Sequence, residues 1–225
     1  MSVIVLPALA TSLLGVHTAP IQFTEGTRAP LTRANTIYGP TGLITIPTAY
    51  TVRRGEARVS ASFSKNLRGP AVNYGIWNSI EIGGSYMDIE NAPDKALANA
   101  KVSIVPANFK YFELGVGVID AADAIDQTFY FVASADLIPP DVNSPKDGSL
   151  PIGLKVHAGA GTGLFKEKLF GGAELLFGNK FSIVGEWDTK NFNAALRYSP
   201  SDNLSLQLGV RDTNLFFGMT TSLRF

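Results

Sequence analysis

From residue 56 to its last residue the chain repeats one pattern. Stretches of about 7–11 residues alternate apolar with polar or small side chains, and turn residues separate them. EARVSASFS sets Ala57, Val59, Ala61 and Phe63 against Arg58, Ser60, Ser62 and Ser64. FELGVGVI sets Phe112, Leu114, Val116 and Val118 against Glu113, Gly115 and Gly117. NYGIWNSIEIGGSY reads as two short strands around Asn78 and Ser79, and ANAKVSIV, TFYFVASADL, IGLKVHAGA, FGGAELLF, KFSIVGEWD, FNAALRY, NLSLQLGVR and NLFFGMTTSLRF continue the series. The expectation is an all-β fold of about twelve strands, with ten or fourteen as alternatives. PDKALANA is the one short stretch with helical promise. Turn-like links such as TKN and SPSDN make consecutive strands antiparallel neighbours in an up-and-down meander. IPPDVNSPKDGSLP, 138–151, is the one long connector and reads as a mobile loop.

Alternation alone suits a soluble sandwich as well as a membrane barrel. The content of the polar face separates them. It is dominated by Ser, Gly, Asn and Gln, with roughly one charge per strand near mid-strand, as on the inner wall of a transmembrane barrel. The charges are Arg58, Glu81, Lys101, Glu113, Asp136, Lys155, Glu174, Glu186, Arg197, Arg211 and Arg224, with Asp188 near a rim. Phe63, Tyr86, Phe181, Trp187, Tyr198 and Phe225 stand near strand ends on the apolar face, where interfacial girdles lie. Charged residues are only 17% and hydrophobic ones 45% of the 225, against roughly 25% charged in soluble domains. The reading is therefore a transmembrane up-and-down antiparallel β-barrel over 56–225, in the bacterial outer membrane. Its twelve strands put both barrel ends on the periplasmic side, and its partners are the lipid bilayer and the outer-membrane assembly machinery. A soluble antiparallel barrel or sandwich is the alternative.

The last strand supports closure, because unpaired backbone in hydrocarbon costs several kcal/mol per group. Its end, with Leu215, Phe217, Met219, Leu223 and Phe225 on one face, resembles the C-terminal assembly signal of bacterial outer-membrane proteins. Thr221 stands where that pattern more often has a larger residue.

Ahead of the barrel, residues 1–19 read as a secretory signal cut after Ala19, since the apolar run from Val3 to Val16 is shorter than the roughly 20 residues a spanning helix needs. A buried apolar segment is the other reading. No Lys or Arg precedes the run, so the true start is expected upstream of Met1. Residues 20–55 form a lead-in. Pro47 lacks a ladder donor, so its stretch is expected at the periplasmic mouth or inside the lumen rather than in the wall.

The lead-in also carries a family resemblance. TGLITIPTAYTVRRGE, through Thr41, Gly42, Leu43, Pro47, Thr48, Ala49 and Gly55, resembles the opening of the YjbH-like exopolysaccharide-associated outer-membrane proteins. Ser182, Glu186, Asp188, Asn193, Arg197 and Tyr198 are similar to a later stretch of that family. The resemblance implies a short, single-barrel version, an outer-membrane location, and a link to polysaccharide or to polysaccharide-export proteins. It implies no defined activity. Glu186–Asp188 and Arg197–Tyr198, on neighbouring strands, are the candidate functional or closure-stabilising cluster.

Little else in the sequence suggests chemistry. Lys plus Arg equals Asp plus Glu at 19 each, so there is no basic footprint for nucleic acid, and with no Cys there is no thiolate site. No metal-ligand spacing appears and no cofactor is expected. His157 on the polar face, beside Lys155, could be imagined with a serine and Glu174, but reads more simply as a lumen liner. The near balance of lumenal charges points to paired groups filling a narrow lumen, since a selective pore favours one sign. The leading expectation is a non-enzymatic outer-membrane barrel associated with exopolysaccharide production, export or envelope assembly. A passive small-solute channel and a lipid-modifying enzyme are the alternatives.

Overall fold

A computed structural model describes residues 34–105, 111–139, 150–178 and 180–225. The expected signal at 1–19, the first part of the lead-in (20–33), and most of the long connector lie outside the described residues. The strands are β1 (Glu56–Ser64), β2 (Leu67–Trp77), β3 (Ile80–Ile89), β4 (Lys95–Ile104), β5 (Phe112–Ile119), β6 (Thr128–Ile138), β7 (Ile152–Gly161), β8 (Lys168–Phe177), β9 (Phe181–Trp187), β10 (Phe192–Ser201), β11 (Leu204–Arg211) and β12 (Asn214–Arg224). They form one closed barrel in which each strand pairs with its sequence neighbours and β1 pairs with β12. The closing ladder runs from Glu56 opposite Arg224 to Ser64 opposite Phe216, all antiparallel. Beyond it the Phe225 N–H donates to the Gly55 carbonyl at 2.9 Å. No open edge is left, and this lets a sheet stand in hydrocarbon.

The twelve-strand barrel expectation holds, with corrections in detail. The helical candidate around Lys95 to Ala100 is β4: Ala96, Ala98 and Ala100 are exposed while Leu97 and Asn99 are buried, a period of two. The strands flanking Asn78 are long, not short. β2 takes in LRGPAV, which Gly69 and Pro70 hide from a pattern search. Pro70 stands in the wall itself, opposite Ala61, so Pro47 needed a reason other than its missing donor to leave the wall.

The outer surface is apolar along every strand. Val72, Ile82, Phe131, Ile183, Leu196, Leu208 and Met219 are all exposed. Phe63, Tyr86, Phe129, Trp187 and Phe192 ring one end of this belt, and Trp77, Phe181, Tyr198 and Phe225 the other. Phe181 and Tyr198 stack with ring centroids 4.7 Å apart. An apolar belt bounded by two aromatic rings, on a closed sheet, is a bilayer-facing surface. Below, the near mouth is the end where β1 begins and β12 finishes; the far mouth is the opposite end.

Candidate functional site

The lumen is occupied by the chain itself. Residues 34–52 lie inside the barrel, almost all of them buried. From the near mouth the segment enters at Gly55, climbs to a turn at 44–46, and folds back so that Asn35 bridges Thr41 and Gly42 bridges Pro47. Its own ladder is short, with Leu43 N–H to the Ile46 carbonyl at 3.0 Å and Ile37 N–H to the Ile44 carbonyl at 2.9 Å. Gly39, at φ +117°, makes a turn no larger residue could make there, since a Cβ would run into Asn99.

A coil this short leaves many backbone donors unpaired, and buried donors need acceptors. Two wall carboxylates supply them. Glu81 on β3 accepts from Thr41 N–H at 2.9 Å, Thr41 Oγ1 at 2.6 Å and Val52 N–H at 2.8 Å. Glu186 on β9 accepts from Ile44 N–H at 2.9 Å, Thr45 N–H at 2.8 Å, Ile46 N–H at 3.3 Å and the Thr45 hydroxyl. Asn193 on β10 donates to Glu186 at 3.0 Å and to Asp188 at 3.0 Å, which orients the distal clamp. Elsewhere Lys101 donates to the Thr41 carbonyl at 2.8 Å, Asn73 to the Gly39 carbonyl at 2.5 Å, and Asn99 to the Tyr38 carbonyl at 3.0 Å. Arg211 donates to the Tyr38 hydroxyl at 3.4 Å.

Several lumenal charges also pair with one another along the inner wall. Arg197 meets Glu174 at 2.8 Å, Lys155 meets Asp136 at 3.1 Å, Lys101 lies 3.6 Å from Glu81, and Arg58 bonds Glu56 at 2.9 Å. Glu113 accepts from Ser103 at 2.9 Å. Arg197 also reaches the Leu43 carbonyl at 3.5 Å. The segment's Tyr50 donates to Asp136 at 2.8 Å and lies under the Lys155 ammonium, 4.5 Å from its ring centroid.

Most of the residues singled out in the sequence thus converge on the stopper, but not as one cluster. Glu186, Asp188 and Asn193 gather on Thr45, whereas Arg197 sits with Glu174 and Tyr198 points outward onto Phe181. Arg224 holds an inward register position opposite Glu56 but is exposed at the mouth, not enclosed in the lumen, because β12 ends there. Of the motif residues, Thr41 through Ala49 form the stopper. Phe217, Met219, Leu223 and Phe225 face outward and are exposed.

A second layer was not legible. Toward the far mouth several inward positions are apolar: Leu67, Met87, Leu97, Ile119, Tyr130, Phe170 and Phe216 pack with Ile37, Leu43, Ile44 and Ile46. Phe165, from the β7–β8 connection, closes over Phe170 with centroids 4.4 Å apart. Inner-wall glycines make room: a Cβ at Gly115 would lie 2.9 Å from Ala49 Cα, and one at Gly172 2.6 Å from Leu43 Cδ1. The signal was present in β12, where Phe216 falls on the polar-face parity between outward Leu215 and Phe217. The lumen therefore combines an apolar layer with charged and polar groups at both depths, Glu81, Lys101 and Lys155 nearer the middle and Glu186, Asn193 and Arg211 toward the far ends of β9, β10 and β11.

His157 lies 2.8 Å from Ser134 Oγ through Nδ1, which has the look of a nucleophile–base pair. The Ser134 oxygen, however, accepts the Ala49 N–H at 2.9 Å, and the ring is covered edge-on by Tyr50, 5.7 Å away. Both side chains are fully enclosed beneath the stopper, where no substrate carbonyl could approach. Among the described residues no group of His, Asp and Glu is placed to hold a metal ion.

No family model and no curated protein matches the chain. Solved structures do. A KdgM porin superposes with a TM-score of 0.49 at 10% identity, over 76% of this chain and 99% of that one. The KdgM porin in complex with disordered oligogalacturonate gives 0.46 at 11%, over 76% and 99%. The N-terminal β-barrel domain of Pseudomonas aeruginosa OprF gives 0.25 at 11%, over 76% and 98%. All three scores fall below about one half and add nothing to what the geometry of this chain shows by itself. That geometry, a closed antiparallel barrel with an apolar exterior and aromatic rims, is an outer-membrane β-barrel, with residues 34–52 of the same chain filling its lumen.

Proposed function

We propose that this is a non-enzymatic outer-membrane barrel that works as a stoppered scaffold, serving exopolysaccharide production, export or envelope assembly through its mouths and not through an open pore. The observation that carries the reading is the double carboxylate clamp. Glu81 and Glu186, buried in the wall, take the backbone donors of the stopper at two depths. Apolar packing of Ile37, Leu43, Ile44 and Ile46 against Leu67, Met87, Phe170 and Phe216 seals the segment against the wall. The near mouth then faces the periplasm. The polysaccharide link rests on the TGLITIPTA resemblance.

The test is single-channel recording of the purified full chain in planar bilayers. The wild type is expected to be silent, while deletion of 34–52 gives current, because the segment and not the wall fills the lumen. Steady conductance of the wild type would favour the passive channel instead. For the polysaccharide link, loss of the gene should alter exopolysaccharide yield, and an unchanged yield removes that half of the reading.

A further inference from the structure

We propose that the near-mouth rim at Arg54 and Trp77 binds the headgroup phosphate of an anionic phospholipid. A bulge between Gly75 and Trp77 turns Trp77 onto the outward face opposite Ile80, half-exposed at the end of the lipid-facing belt. There the Arg54 guanidinium lies over the indole, 5.9 Å from the ring centroid. The arginine is held by backbone: Arg54 forms a parallel bridge with Gly75, and Gly55 N–H donates to the Gly75 carbonyl at 2.9 Å. Gly75 is what lets the stem come so close, because a Cβ there would strike the Arg53 carbonyl oxygen.

Two further observations select the ligand. The first is charge. Among the described residues the exposed charged side chains of the near rim are Arg53, Arg54, Lys180 and Arg224, against Asp202; Glu56 is buried on Arg58. The far rim mixes the two signs evenly, with exposed Lys65, Arg68, Lys166, Lys168 and Lys190 against Glu90, Asp94, Asp123, Asp126 and Glu167, and its Arg68 is paired with Asp88 at 2.6 Å. The second is depth. A tryptophan in the aromatic ring stands at headgroup level, so an arginine resting on it meets phosphates, not acyl chains or bulk water. A guanidinium offers a fork of donors that matches a phosphate, and stacking on the indole keeps that fork in place. Because Arg54 also roots the stem of the lumenal segment, a bound lipid would fix the point at which that segment enters the barrel.

Native mass spectrometry of the full chain, released from detergent with phosphatidylglycerol or phosphatidylcholine, tests this. Wild type should retain phosphatidylglycerol preferentially. Arg54→Gln should weaken that retention about fivefold, the effect of one surface arginine near an anionic membrane, and Trp77→Leu should weaken it as well. Arg68→Gln on the far rim should change nothing. Heat-modifiable gel mobility confirms that each variant is folded, and Arg53→Gln stands in should Arg54→Gln fail to assemble. Equal retention of the two lipids, or a folded Arg54→Gln that binds as wild type does, overturns the proposal. So does complete displacement of the lipid by millimolar inorganic phosphate, which would mark a free-phosphate site.

Discussion

Replacing Glu186 by alanine should loosen the stopper more than any other single change in the wall. The carboxylate accepts three backbone N–H groups, from Ile44, Thr45 and Ile46, along with the Thr45 hydroxyl and the Asn193 amide. Residues 44–46 form the turn closed by the Gly42–Pro47 bridge, and their N–H groups converge on this one carboxylate. A buried donor left without an acceptor costs about 1–3 kcal/mol, so the three backbone groups alone represent about 3–9 kcal/mol. Water entering the space vacated by the carboxylate recovers part of this and leaves about 3–5 kcal/mol. At tenfold per 1.4 kcal/mol, the displaced state of the segment gains about two to four orders of magnitude in population. Removing a buried carboxylate also removes its desolvation cost, but the donors around it outnumber what that relief can balance. Two measurements should agree. The temperature at which the gel-mobility shift of the folded barrel is lost should fall, and protease should cut within 34–52 from the near mouth. Glu186→Gln keeps one acceptor oxygen but turns an amide donor toward backbone N–H groups, so its loss should be intermediate. If Glu186→Ala matched wild type in both heat resistance and protease protection, the clamp would not be what holds the segment, and the packing of Leu43, Ile44 and Ile46 would have to suffice alone.

Breaking the Arg197–Glu174 pair from one side, as Arg197→Met, should cost about 3–5 kcal/mol, and Arg197→Met with Glu174→Leu together should cost less than either alone; thermal loss of the gel shift reads both. Leu196→Lys, on the exposed belt, should destabilise the bilayer-inserted barrel by about 2–4 kcal/mol in denaturant titration from vesicles, and a neutral effect would remove the residue from the hydrocarbon. Gly69→Ala should prevent assembly of the β2–β3 ladder, because a Cβ at Gly69 meets the Tyr86 carbonyl oxygen, which is backbone and cannot swing away. Deletion of Phe225 removes an exposed side chain and one hydrogen bond to Gly55, so it should lower the yield of membrane-inserted protein far more than the heat resistance of what inserts.

Much of the wall was legible because a strand on a two-faced sheet writes its environment into every second residue. Val59 and Phe63 against Arg58 and Ser60 needed no neighbour to interpret them, and the run to Phe225 announced a closing strand. The stretch at Leu67 to Val72 was missed for the same reason in reverse: Gly69 carries no side chain to show its face, and Pro70 reads as a breaker. Inward Leu67, Met87 and Leu97 were unreadable as lumenal, since parity says that two residues share a face but not what that face touches.

Taken alone, the sequence pointed to an antiparallel β-barrel of about twelve strands and to the sidedness of most wall residues, because these follow from local periodicity and short turns. It also marked Thr41 to Ala49 and Glu186 as unusual. Only the tertiary structure decided that the two meet. Thr45 and Glu186 stand 141 residues apart, and their contact exists because twelve strands closing on β1 bring β9 round to a segment that precedes β1. Whether a lumenal carboxylate lines a channel or clamps a stopper depends on what closure traps beside it. No periodicity encodes that, because the backbone donors that satisfy Glu81 and Glu186 are the same in every residue type but proline.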